Sequence, residues 1–250
     1  MHLADLLTRD YDDEVFLINF DNLITFRDLK VKYDEFLKLF NEESLDKSKL
    51  LVIVGDYDAN SIAALLAAID FGINVSIQTE ETFRNLKMWL LQLEVGYIVK
   101  GGLFSFFENT GNKLSLEMEG CCLFFTSGST GPPKAIIHKS SALLSKFNKS
   151  SSQPYCSISF LTFDHMGGFN TLLSALFSSS KLIQANLRSV EEILELVETY
   201  QVNVLSTTPT FLNLMLMSGL YKRYNLTSLT KITYGTEVMN EVVLKKLGRI

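Results

Sequence analysis

Thr126-Ser127-Gly128-Ser129-Thr130-Gly131-Pro132-Pro133-Lys134 is the stretch on which the reading of this chain turns. The apolar run before it, Cys121-Cys122-Leu123-Phe124-Phe125, predicts a buried strand. Glycines and small hydroxyl residues let a backbone turn tightly and aim several N–H groups at one point, which makes an anion nest. The serine and threonine hydroxyls add donors, and Lys134 adds a mobile positive charge. Such a loop suits a polyphosphate. It differs from the common P-loop, because Pro133 stands where that pattern has its second glycine. Two prolines before the lysine stiffen the loop instead of starting a helix. A polar surface turn needs fewer small residues than this unbroken run closed by Pro-Pro-Lys. Phosphate binding is therefore expected of Thr126, Ser127, Gly128, Ser129, Thr130, Gly131 and Lys134.

At 250 residues the chain can form one large domain or two small ones. A hydrophobic fraction of 47% and a mean hydropathy of +0.16 supply a substantial core and exclude a disordered chain. The net charge of −5 argues against a nucleic-acid partner. No apolar run approaches the roughly 18 residues of a membrane helix. The first 14 residues are too acidic and too weakly apolar for a secretory signal. Cys121, Cys122 and Cys156 are odd in number and lack metal spacing, so they are expected to be reduced packing residues. The expected compartment is cytoplasmic.

Outward from the loop, short apolar runs alternate with helical patterns. Residues 14–20 and 23–26 predict a hairpin, and Thr25 with Asp28 forms a capping-box start for a helix to about 40. Strands are expected at 50–54, 75–77 and 97–99, with helices at 58–70, ending at Gly72, and at 83–93. Beyond the loop, residues 139–153 are rich in Ser and Lys, with a helical hint at Ala142-Leu143-Leu144. Strands follow at 156–163, 181–184, 202–207 and 229–233. Between and after them come helices at 169–177, from Ser189 to 200, from Pro209 to 217, and from Asn240 to near Gly248. This alternation predicts an α/β fold of repeated right-handed βαβ units, with mainly parallel sheets flanked by helices. Two subdomains are expected, 1–120 and 121–250, the second carrying the loop.

The nine-residue stretch resembles the signature loop of the adenylate-forming (AMP-binding) enzymes: acyl- and aryl-CoA ligases, luciferases and the adenylation domains of peptide synthetases. It departs only at Ala135, where that family usually has glycine. The resemblance extends along the chain. Thr25-Phe26-Arg27-Asp28-Leu29 resembles the family's opening helix start, and 56–77 its Ala-, Leu- and Gly-rich strand–helix–strand unit. Phe163-Asp164-His165-Met166-Gly167-Gly168 is similar to the motif that positions the carboxylate substrate. Ser206-Thr207-Thr208-Pro209-Thr210 is similar to a segment before a pocket helix, and Tyr234-Gly235-Thr236-Glu237 to the segment beside the adenine. Order and rough spacing join these short matches into one pattern.

The resemblance implies roles for single residues. His165, at a strand end before Gly167-Gly168, is the expected catalytic, substrate-positioning residue; loops at strand C-termini gather ligands. Asp164 is expected to be a solvated loop aspartate. His138 is expected to be structural, and His2 carries no signal. Gly235, Thr236 and Glu237 are expected to border adenine and the acyl pocket; Glu237 is not assigned to metal, and no metal-ligating residue is assigned. The implied chemistry is attack of a small carboxylic acid on ATP with Mg²⁺ present, giving acyl-adenylate and pyrophosphate, followed by transfer to the thiol of CoA or a carrier protein. The family's later aromatic-Gly-x-Thr-Glu motif, ribose-holding aspartate and C-terminal adenylation lysine are not found in these 250 residues. The expectation is thus the front part of a ligase, catalytically incomplete by itself. Two other readings stay open: an amino-acid adenylation domain, marked by Asp164 rather than His165 facing the substrate, and a non-catalytic nucleotide- or pyrophosphate-binding fragment.

Overall fold

The computed structural model describes residues 3–8, 13–20, 22–90, 92–107, 118–126, 133–147, 153–235 and 237–248. After a one-turn helix, α1 (Ala4–Leu7), come β1 (Val15–Asn19) and β2 (Asn22–Thr25), which pair antiparallel as the expected hairpin. α2 (Phe26–Glu42) begins in a reciprocal cap: the Asp28 amide donates to the Thr25 hydroxyl, and the Thr25 amide donates to the Asp28 carboxylate. β3 (Leu50–Val54) is buried throughout. Leu51 and Ile53 enter one core and Leu50, Val52 and Val54 another, so the strand shows no polar alternation. α3 (Ala59–Phe71) is capped by Asp58 and stops at Gly72, whose φ of +83° is the left-handed conformation glycine adopts freely. β4 (Asn74–Gln78) follows, then α4 (Glu80–Leu90) and β5 (Val95–Lys100). α4 starts earlier than its apolar pattern suggested, because the Thr79 hydroxyl accepts from the Thr82 amide.

Two strands were not among the expected elements. β6 (Leu103–Phe106) folds back on β5 through Gly101 and Gly102, at φ +57° and +79°. β8 (Lys134–Lys139) pairs antiparallel with β7 (Cys121–Thr126), which sets Thr126 and Lys134, the two ends of the nine-residue stretch, opposite each other. α5 (Ser140–Ser145) falls in the Ser- and Lys-rich segment. β9 (Cys156–Ile158) is much shorter than the 156–163 expected from its apolar residues. The remaining elements alternate as expected: α6 (Met166–Phe177), β10 (Lys181–Ile183), α7 (Val190–Tyr200), β11 (Val204–Thr207), α8 (Pro209–Ser218), β12 (Lys231–Tyr234) and α9 (Glu241–Leu247).

Among the described residues the strands form two mixed six-stranded sheets, in the orders β12-β11-β9-β10-β1-β2 and β6-β5-β3-β4-β7-β8. Every interior pairing is parallel, and the antiparallel pairs β1–β2, β5–β6 and β7–β8 lie at sheet edges. The sheets exchange segments across the expected 120/121 division. β1 and β2 join the sheet of β9–β12, while β7 and β8 join the sheet of β3–β6. The largest core draws on α2, α3 and α6 together with β1, β3 and β4, which puts these helices between the sheets. α7 and α8 cover the outer face of the first sheet, and α4 that of the second. Cys121 and Cys122 point into different cores as free, buried thiols; burial pushes the Cys122 thiol up to about 12, so it packs and does not react.

Candidate active site

Two motifs meet where the sheets come together. Thr126 and Lys134 are the last ladder pair of the β7–β8 hairpin, and Lys134 is exposed. Among the described residues no carboxylate pairs with it. Ser127, Gly128, Ser129, Thr130 and Gly131 lie outside the described residues, as does Thr236. One turn back along β7, the Phe124 ring packs edge-on against Phe169 of α6, with centroids 5.3 Å apart. The strand that leads into the nine-residue Gly- and Ser-rich stretch therefore rests on the helix that His165 caps. His138 packs edge-on against Phe124 at 6.3 Å, a structural place of the kind expected for it.

His165 is the N-cap residue of α6, in extended conformation, and its side chain is 57% exposed. Asp164 is the correction. Expected in solvent, its side chain is 3% exposed and lies 2.9 Å from His165 Nδ1. Burial pushes the Asp164 carboxyl up, but His165, through hydrogen bond and charge, and the Thr82 and Thr162 hydroxyls outweigh it and hold it below the ordinary carboxylate range. The same hydrogen bond raises His165 above an ordinary histidine, against a smaller opposing effect of burial. With Nδ1 held by the carboxylate, Nε2 is the nitrogen left to meet a ligand.

Why the chain leaves the β9 ladder so early follows from long-range partners. Arg188 donates from Nε to the Phe160 carbonyl at 2.9 Å and pairs with Asp56, after β3, at 3.1 Å. The buried Tyr57 hydroxyl lies 3.2 Å from the Leu161 carbonyl oxygen and 2.8 Å from that of Gly168. The Phe160 carbonyl is thus satisfied by Arg188, and those of Leu161 and Gly168 by Tyr57 from the opposite sheet, instead of by a neighbouring strand. Asp56, Tyr57 and Arg188 position the His165 loop, and no local pattern marked them.

Beside this loop a cavity of about 790 Å³ opens on the inner face of the first sheet. α6 lines it with Gly167, Asn170, Thr171 and Ser174, which recur at helical spacing on one face. Ser206 and Thr233 line the opposite wall, their hydroxyls 2.9 Å apart. The Asn170 side-chain oxygen is buried without a hydrogen-bond partner. Gly235 sits at the cavity's rim, after the C-terminal end of β12. Glu237 turns elsewhere: its carboxylate accepts from the amide of Thr210 at 3.2 Å and from the Thr210 hydroxyl, which caps the first turn of α8. His165 borders the cavity through its neighbour Gly167 and is not itself among the lining residues.

The sequence profile of a family described as AMP-binding enzyme matches residues 108–250, more than half of the chain. The chain belongs to the AMP-binding enzyme family. It is 29% identical over 109 residues to a 2-succinylbenzoate–CoA ligase of Staphylococcus aureus, a match that covers 42% of this chain and 22% of that relative. Among solved structures it resembles the o-succinylbenzoate CoA synthetase of Bacillus subtilis (TM-score 0.76, 18% identity), covering 99% of this chain and 56% of that one. It also resembles the luciferase-like enzyme of the mealworm Zophobas morio (TM-score 0.78, 19% identity), covering 99% and 68%. At these identities the structural likeness establishes the fold, which is that of adenylate-forming enzymes. Among the described residues no helix is long and apolar enough to cross a membrane.

The Asp164–His165 pair has a defined pH signature. Asp164 has a lowered folded pKa, so its contribution is present above the unfolded value of about 3.9 and fades as pH falls through the folded value. His165 has a raised one, so its contribution is complete below about 6.5 and is lost as pH rises through the folded value. Between these limits both act. Denaturant titrations of the protein and of Asp164→Asn should differ most in that window, and the His165 imidazole should titrate at lower pH in the variant. A gap independent of pH, with an unmoved imidazole, would show that the pair contributes nothing.

Proposed function

We propose that this chain binds the nucleotide and the acid for an ATP-dependent carboxylate-activating ligase, one that forms an acyl-adenylate and passes the acyl group to a thiol. The observation that carries this reading is the Phe124–Phe169 contact, which brings the phosphate-loop hairpin and the His165 helix side by side. In the reaction a carboxylate oxygen forms a bond to the α-phosphorus of ATP. The bond from that phosphorus to the bridging oxygen breaks, and pyrophosphate leaves with the electron pair. Such a displacement needs positioning and charge neutralisation more than covalent help. Lys134 and the amides and hydroxyls of residues 126–131 neutralise the leaving pyrophosphate. His165, oriented by Asp164, donates from Nε2 to the incoming oxygen. Gly235 lets the ligand approach the backbone closely.

Among the described residues no group of three or more His, Cys, Asp or Glu stands together as metal ligands. A magnesium ion carried on phosphate oxygens asks for few protein ligands and neutralises the same charge. The thiol is that of CoA by analogy with the relatives' names, with a carrier-protein thiol as the other candidate. The amino-acid alternative calls for an aspartate free to hold an amine, whereas Asp164 is buried and engaged by His165. Calorimetric titration tests the reading: ATP with magnesium should bind saturably at one site, and pyrophosphate should compete. Absence of binding, or binding without competition, would remove it.

A further inference from the structure

The cavity beside α6 has a charge character that the chain as a whole lacks. The protein carries 28 acidic against 23 basic residues. Yet none of the described residues lining this cavity is acidic, and two are lysines, Lys146 and Lys231. Neither lysine pairs with a carboxylate among the described residues. The walls between them mix apolar side chains, Phe147, Leu161 and Val204, with polar groups. Tyr155 and Ser174 share a hydrogen bond of 2.8 Å, and Asn170 holds a buried amide with an unmet bonding capacity. An acid with a plain hydrocarbon tail would leave both lysines without a counter-charge and the Asn170 oxygen without a donor.

Strand direction gives the cavity two ends. Gly235 follows the C-terminal end of β12, beside Gly167 and the His165 loop, and Lys231 opens the same strand. Four residue-to-residue steps along the strand separate them, roughly 13 Å at the usual rise. Lys231 shares the inward face of Ser206 and Thr233, since β11 and β12 pair Val204 with Lys231 and Ser206 with Thr233. We infer that the acid this site takes carries a second anionic group at its far end, held by Lys231 and Lys146 while the reacting carboxylate lies at the Gly167–Gly235 end. The substrate class is a dicarboxylate or its equivalent, with a less polar middle segment passing Phe147 and Leu161. The inference rests on the acid-activating reading above and names its substrate.

Direct titration of acids into the chain tests it without requiring turnover. Octanedioate and octanoate have the same length and differ in the far carboxylate. Octanedioate should bind about tenfold tighter or more, the effect of one charge-assisted hydrogen bond. That advantage should shrink with added salt and disappear in the Lys146→Gln, Lys231→Gln double variant. Lys222→Gln, a lysine outside the cavity, should keep it. Equal affinities, no binding of octanedioate, or an advantage that survives in the double variant would overturn the inference. ATP titration into the same proteins separates the two ideas. Intact ATP binding without acid discrimination refutes the substrate class alone, and absent ATP binding refutes the activating reading while the acid preference is still measured.

Discussion

Gly168→Ala is expected to cost about 3 kcal/mol of stability, the upper part of the range for forced overpacking. A Cβ at this position would lie 2.0 Å from the Thr162 carbonyl oxygen and 2.6 Å from its carbon. Those are backbone atoms, held in a loop that Tyr57 and Arg188 tie to the other sheet, so they have no rotamer through which to yield. Gly167 makes the comparison decisive. Its added Cβ would meet the end of the Leu161 side chain at 2.8 Å, a group that can swing aside. Gly167→Ala should therefore cost under about 1 kcal/mol, a tolerated adjustment. In a chain of this size the larger loss lowers Tm by about 6–12 °C. A functional consequence follows, because the Thr162 carbonyl also accepts from the His165 amide at 3.2 Å. Displacing Thr162 carries His165 with it. Thermal melts of the two alanine variants side by side would check this; equal melts would show that the loop is softer than its anchors imply.

Gly168 also illustrates what was legible in the sequence and what was not. Its place after His165 resembled a family motif, but the reason for glycine is the approach of Thr162, a contact visible only in three dimensions. Elements specified by local chemistry were readable: the Thr25–Asp28 box, the Gly72 stop, and the apolar β3 from Leu50 to Val54. Ser189 opens α7 where the helix was expected to start, its hydroxyl accepting from the Glu192 amide, while the Glu192 carboxylate accepts from the Asn186 and Arg188 amides. Arg188 stands at φ +52°, which turns the preceding chain under the helix end. The sequence signal for β6 is the Gly101-Gly102 pair, which favours a tight hairpin. Residues 160–163 read as strand because they are largely apolar, whereas the Phe160 and Leu161 carbonyls accept from Arg188 and Tyr57 rather than from a neighbouring strand. The burial of Asp164 followed from those same distant anchors. Periodicity reports which face a residue shows, and it does not report partners more than 100 residues away, such as Tyr57 for Leu161.

Lys134→Ala should weaken ATP and pyrophosphate binding by about 1.5–3 kcal/mol, the worth of one charge-assisted hydrogen bond, or roughly 10- to 150-fold in Kd. The fold should hardly notice. Lys134 is exposed, pairs with no carboxylate among the described residues, and contributes to the β7–β8 ladder through its backbone. Alanine keeps that backbone pair with Thr126, so Tm should stay nearly unchanged. Lys134→Arg provides the second test. It restores the charge on a broader, planar head, and should recover part of the affinity but not all. Added salt should weaken binding to the protein more steeply than to the alanine variant, since one fewer cation faces the phosphates in the latter. Titration calorimetry with parallel melts distinguishes the outcomes. Unchanged affinity would return the 126–134 stretch to a polar hairpin turn, and a collapsed melt would make Lys134 a structural residue whose effect on ATP is indirect.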